Sequence, residues 1–148
     1  MRLLRRVAVF STLATVISLG FAGTAQASTD KQSFTTRRSV VVTFVNSYTG
    51  PMWLYSTQLD HGRWVIMPPQ EIDPGQRGVW SSVSSGLFTG TEGWAAFTVY
   101  GWDDGDMRLH WDNPFVGSNT FECLHHGPLD CTVSSSGGDD ASVTFELS

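Results

Sequence analysis

Trp94-Ala95-Ala96-Phe97-Thr98-Val99-Tyr100 and, beyond a short gap, Met107-Arg108-Leu109-His110-Trp111-Asp112 decide the fold. In the second stretch Met107, Leu109 and Trp111 alternate with Arg108, His110 and Asp112. That is period two, the pattern of a strand with one face buried and the other polar. The first stretch sets Trp94, Ala96, Thr98 and Tyr100 against Ala95, Phe97 and Val99, with large residues on both faces. Asp104-Gly105 between them is a hairpin signal.

Strand patterns continue in both directions. Toward the N-terminus, Ser39 to Asn46 is rich in Val and Phe, as a buried strand is. Tyr48-Thr49-Gly50-Pro51 reads as a turn, and Met52 to Leu59 as a strand of aromatic and β-branched residues. Met67 to Gly75 carries three prolines and reads as loop or edge. Gly78 to Val83 is a short strand. Toward the C-terminus, Thr120 to Leu124 and Cys131 to Val133 form a pair, and Ala141 to Leu147 closes the domain with Val143, Phe145 and Leu147 on one face. No stretch beyond the first 27 residues shows a 3.6-residue period. Seven or eight short strands separated by turns predict an all-β protein, a single-domain antiparallel β-sandwich over residues 39–148. Ser134 to Asp140 is a polar loop, and no internal repeat is present.

The chain's beginning is of another kind. Arg2, Arg5 and Arg6 precede an uncharged, mostly apolar run from Val7 to Ala22, and Ala25-Gln26-Ala27 is an A-x-A cleavage signal. Residues 1–27 therefore read as a signal peptide, and the run is short for a bilayer span. Residues 28–38 read as a polar, flexible arm. Three of the nine basic residues leave with the signal, so six face fourteen acids and the net charge becomes −8. That balance argues against nucleic acid and against anionic lipid, both of which need a basic face. A zwitterionic lipid, a sugar or a protein remains open as partner.

Cys123 and Cys131 lie in a chain read as secreted and extracellular, where a disulfide is the expected state. Gly127-Pro128 between them is a turn signal, so the bridge is expected to staple a hairpin. Catalytic signatures are missing: no G-x-S-x-G, H-E-x-x-H, P-loop or C-x-x-C occurs. His125 and His126 are adjacent and suit joint metal ligation poorly. Asp103, Asp104 and Asp106 lack the ladder of an EF-hand. Glu92 and Asp112 form the one carboxylate pair that could be imagined in glycoside hydrolysis. The chain is expected to be no enzyme, with no cofactor and no metal.

Aromatic rings carry the binding argument. Six tryptophans (53, 64, 80, 94, 102 and 111) are more than a small core easily buries, because each N–H wants a partner. Trp102 sits within an acidic turn and Trp64 follows His61-Gly62-Arg63, also read as a turn. Both are expected at the surface, whereas Trp94 and Trp111 are expected to fold onto their own sheet. Phe88 stands in a Gly/Ser/Thr loop and Phe115 follows Pro114. A ring on a loop partitions to a membrane interface, stacks on a sugar or anchors a protein.

Several segments, taken in order, resemble the aegerolysin family, and within it the small component of the Bacillus binary insecticidal crystal toxins. They are Val41 to Asn46 with Gly50, Leu59-Asp60-His61-Gly62-Arg63-Trp64, Ser84 to Gly93, and Asp112-Asn113-Pro114-Phe115-Val116-Gly117-Ser118-Asn119. The resemblance implies an antiparallel β-sandwich that is not an enzyme. It implies binding of a membrane lipid, often a sphingolipid, at the surface of the bilayer, and action with a larger pore-forming partner protein. In fungal members an acidic residue near the Gly-rich loop tunes lipid choice, and the loop here offers Glu92, although the two registers do not match residue for residue. The lipid-binding residues expected on this basis are Glu92, Trp64, Trp102, His61, Trp111 and Asp112. Glu92 would accept hydrogen bonds from a headgroup, Trp64 and Trp102 would insert, and Trp111 and Asp112 would contact lipid or hold the turn. Carbohydrate or protein binding through the same rings is the alternative. The Cys123/Cys131 pair, the export signal and the Trp102 turn set this chain apart from the toxin relatives.

Overall fold

Alternation along the chain becomes two layers. The structure, a computed structural model, describes residues 37–99, 106–127 and 129–148. The expected signal peptide lies outside them, as does the arm up to residue 36. The described residues form ten strands: β1 (Ser39–Asn46), β2 (Met52–His61), β3 (Arg63–Ile66), β4 (Glu71–Ile72), β5 (Arg77–Val83), β6 (Thr91–Val99), β7 (Asp106–Asn113), β8 (Thr120–His125), β9 (Cys131–Ser136) and β10 (Asp140–Leu147). They build two five-stranded sheets, β3-β5-β1-β10-β9 and β4-β2-β6-β7-β8. The all-β sandwich is the expected one. Seven strand pairs are antiparallel, and β1 and β10, in the middle of the first sheet, run parallel.

The inward face of each strand is the apolar half of its alternation. Val40, Val42 and Phe44 of β1 meet Ala95, Phe97 and Val99 of β6 and Met107, Leu109 and Trp111 of β7 in one buried cluster. Val143, Phe145 and Leu147 join it from β10. A chain of rings runs through the middle. Phe44 lies 5.5 Å from Phe97, Phe97 5.9 Å from Trp80, Trp80 6.2 Å from Trp111, and Trp111 5.7 Å from Trp64. Among the described residues two indoles are wholly buried, Trp80 and Trp111. The Trp111 Nε1–H donates to Ser82 Oγ at 3.0 Å, which answers the demand of its N–H.

One expectation holds and one changes. His61-Gly62-Arg63, read as a turn, is a corner between two strands. β2 ends at His61 in the second sheet, and β3 starts at Arg63 in the first. Gly62 makes the corner with φ 97°. Further, Cys123 and Cys131 do not staple a hairpin. Their strands, β8 and β9, are edge strands of different sheets. The bridge, with Cα atoms 6.3 Å apart, closes one flank of the sandwich. A loop of this length contributes about 2–3 kcal/mol. Reduction, or Cys123→Ser with Cys131→Ser, should lower the melting temperature by roughly 10 °C while the strand signal in circular dichroism persists. Loss of the whole fold on reduction would show that the bridge is required rather than supporting.

Candidate functional site

Strand register assembles a polar cluster at one end of the second sheet. Glu92 of β6 stands opposite His61 of β2 on one side and Asp112 of β7 on the other. His110, two residues before Asp112, shares the same outward face. Glu92 accepts from two imidazoles: His61 Nδ1–H to Oε2 at 3.0 Å, and His110 Nε2–H to Oε1 at 3.3 Å. The second nitrogen of His110, buried and without a hydrogen-bond partner among the described residues, lies 3.8 Å from the Glu122 carboxylate.

The two carboxyls of this cluster are pushed apart. The hydrogen bond from His61, helped by His110, holds Glu92 below its ordinary 4.5, against the pull of burial. Burial, and then the charge of Glu92, raise Asp112 above its ordinary 3.8. The signs for stability follow. Glu92 binds its proton less readily folded than unfolded, so its contribution is present above about 4.5 and fades as pH falls through its lowered value. Asp112 is the reverse: it works against the fold once the pH rises through its raised value, and stops doing so in acid.

Two loops stand over the cluster. The β5–β6 loop is closed on itself, with the Thr89 hydroxyl donating to Gly86 O at 2.9 Å and accepting from Gly86 N at 3.0 Å. The β7–β8 loop is anchored by Asn113. Its Nδ2 donates to Ser39 O, Asp139 O and Gly138 O at 2.9–3.2 Å, tying the end of β7 to the other sheet. Arg38 adds a donor to Phe115 O at 2.9 Å, lies over the Phe115 ring and pairs with Asp139. The loops touch at Gly90, where a Cβ would come within 2.7 Å of Asn113 O. Phe88 meets Phe115 edge-on, ring centroids 5.0 Å apart.

Between the loops and the cluster lies a groove of about 340 Å³, with His61, Glu92 and Asp112 among its polar lining and Phe88, Phe115 and Val116 on its rim. Leu87, Phe88 and Val116 are 74%, 64% and 82% exposed. Three large apolar side chains thus project from adjoining loops beside an acidic, histidine-bridged floor. A floor of this kind accepts hydrogen bonds and balances a cation, while the rim favours transfer out of water. Glu92 and Asp112 stand side by side on neighbouring strands in the groove's lining. Among the described residues no group of three or more His, Cys, Asp or Glu is arranged to hold a metal ion.

Of the residues singled out in the sequence, His61, Glu92 and Asp112 come together here. Trp111 does not: it is fully buried, so no ligand touches it. Trp64 is half-buried, packed on the core with its ring against Trp111. Trp102 lies outside the described residues. The turn is held by Asn113 and not by Asp112. The sequence reading missed His110 and Glu122, which share the polar face, Val116 on the groove's rim, and the exposed Leu87 next to Phe88. The outward phase of β7 is the signal that places His110 beside Glu92.

No family model matches the chain. An uncharacterized protein of Dictyostelium discoideum is 34% identical over 93 residues, 62% of this chain, and the chain spans 8% of that relative's length. Among solved structures, the lipid binding protein Nakanori superposes with a TM-score of 0.67 at 17% identity, over 75% of this chain and 71% of that one. RahU protein, in a complex with a TRIS molecule, matches with a TM-score of 0.60 at 19% identity, over 74% and 93%. IP-1A from Alcaligenes faecalis matches with a TM-score of 0.54 at 17% identity, over 74% and 90%. At these identities the likeness is one of fold, and the sandwich implied by the aegerolysin resemblance is the sandwich this chain has.

Proposed function

We propose that the protein is a secreted, aegerolysin-like lipid-binding protein and not an enzyme. It would recognise a zwitterionic sphingolipid headgroup at the bilayer surface, as the membrane-recognition component of a two-component system whose larger partner forms the pore. The observation that carries this reading is the end groove, where an exposed apolar rim surrounds a carboxylate held by two imidazoles. The rim enters the interface, and the floor accepts hydrogen bonds from the headgroup and offsets its cationic end. His61, Glu92 and Asp112 make the polar contacts, while Trp64 and Trp111 support the groove from beneath. The Nakanori likeness in fold supports a lipid ligand, and the basic, apolar leader with its A-x-A site supports export.

The test is binding of the chain without residues 1–27 to vesicles of varied headgroup, alongside a glycan panel. Zwitterionic sphingolipid vesicles should bind, and Glu92→Gln should weaken binding roughly tenfold, the worth of a charge-assisted hydrogen bond. In the same variant the Asp112 carboxyl, followed by NMR titration, should move down toward its ordinary value because the neighbouring negative charge is gone. It should remain above that value because burial persists. Binding to glycans with indifference to all vesicles would replace this reading by the carbohydrate-binding one.

A further inference from the structure

We infer that a second cavity at this end of the sandwich is an oxyanion site for a phosphate ester. It holds about 260 Å³ and is lined by Arg37, Arg63, Ser84, Ser85, Gly86 and Leu87. The strand order builds it. β5 lies between β3 and β1, and Val83 near its end pairs with Arg63 on one side and Ser39 on the other. Just beyond, Ser84 N donates to Arg38 O at 2.8 Å and Arg38 N donates to Ser84 Oγ at 3.1 Å. These reciprocal bonds set Arg37 alongside Ser85. An arginine therefore stands on each flank of one strand end, across two chain segments far apart in sequence.

Among the described residues the two guanidiniums are uncommitted. Arg38 pairs with Asp139, and Arg108 lies over the Trp94 ring at 4.2 Å. Arg37 and Arg63 have no ion pair, side-chain hydrogen bond or ring contact among the described residues, and neither does the exposed Ser85 hydroxyl. The chain carries fourteen acids against nine basic residues, so partners for arginine are plentiful, yet here two positive groups share one cavity with no carboxylate among its described lining residues. Guanidinium presents a planar fork of donors that matches the oxygens of a phosphate, and a hydroxyl adds a third donor. Leu87 at the lip joins the cavity to the apolar rim. The acidic groove on the far side of Gly62 has the opposite sign, so the two cavities select opposite charges.

The probes are inorganic phosphate and vesicles of phosphatidylcholine with and without phosphatidic acid. The protein is the chain without residues 1–27 and its Arg37→Gln/Arg63→Gln variant. Both side chains are exposed, so the variant should keep the wild-type melting temperature in chloride. In the wild type, phosphate should perturb the NMR signals of Arg37, Arg63 and Ser85 saturably, and should raise the melting temperature above that in chloride of equal ionic strength. The variant should bind at least about tenfold more weakly, since two charge-assisted contacts are lost. A response to free phosphate assigns a soluble phosphate ester as sufficient. A response only to vesicles containing phosphatidic acid, lost in the variant, assigns a lipid headgroup. A wild type that answers neither probe, or a variant indistinguishable from it on both, overturns the proposal. Glu92→Gln should leave the phosphate response intact, so failure of the groove and failure of this cavity are separate results.

Discussion

Phe88→Asn combined with Leu87→Ser should abolish most vesicle binding, by on the order of a hundredfold, without unfolding the protein. Moving a large apolar side chain out of water is worth about 1.5–3 kcal/mol, and two partly inserted chains together reach that fold-change. The choice of asparagine follows from the backbone. Among the described residues Phe88 is the one non-glycine residue with positive φ, at 58°, a region where bulky residues are uncommon and asparagine is enriched. Relief of that conformation, about 1 kcal/mol, offsets the lost edge-on contact with Phe115, worth about as much. The melting temperature should therefore stay near the wild-type value while partitioning collapses. A phenylalanine kept in an unfavourable conformation, with its ring in solvent, fits a part in binding better than a part in folding. Sedimentation with vesicles and a thermal melt on the same sample separate the two. Unchanged partitioning would remove the rim from the mechanism.

Gly62→Ala should be the most damaging single-atom addition at the site. A Cβ there would lie 2.6 Å from Thr91 Oγ1 and 2.7 Å from Val83 O, at φ 97°. One obstacle is a buried hydroxyl that donates to Ser82 at 2.7 Å, and the other is strand backbone. Neither yields cheaply, so the expected loss is about 3 kcal/mol or more, on the order of 10 °C in melting temperature. Because the corner also aims His61, the variant should lose the His61–Glu92 bond, and the Glu92 carboxyl should titrate closer to its ordinary value. A wild-type melt would show that the corner has slack.

The strands with one buried face were legible. β7 alternates in the sequence as it does in the structure, and β1 and β10 carry Val and Phe where the core needs them. β3 was not legible, because Val65 and Ile66 at an edge are both exposed and follow no alternation. It also follows β2 with a single residue between, so no loop composition announces the change of sheet. The cysteine pairing could be read, but which sheets it joins depends on long-range register. At the site, Glu92, His61 and Asp112 were found by residue type and motif. His110 looked like any outward residue of a strand until its neighbour was known. The count of tryptophans misdirected the search for exposed rings. Trp80 and Trp111 pack into the core and Trp53 is exposed on the second sheet, while beside the groove the exposed apolar side chains are Leu87, Phe88 and Val116.

The parallel pairing of β1 with β10 governs the order in which the molecule can assemble. Ser39 and its neighbour Asp140 are 101 residues apart, so the first strand waits for the last. No N-terminal fragment can complete the central ladder of its sheet, and closure over such separations is slow. Under the proposed export, that delay would serve the chain: it could stay unfolded during translocation and complete its central ladder only after its last strand is released on the far side.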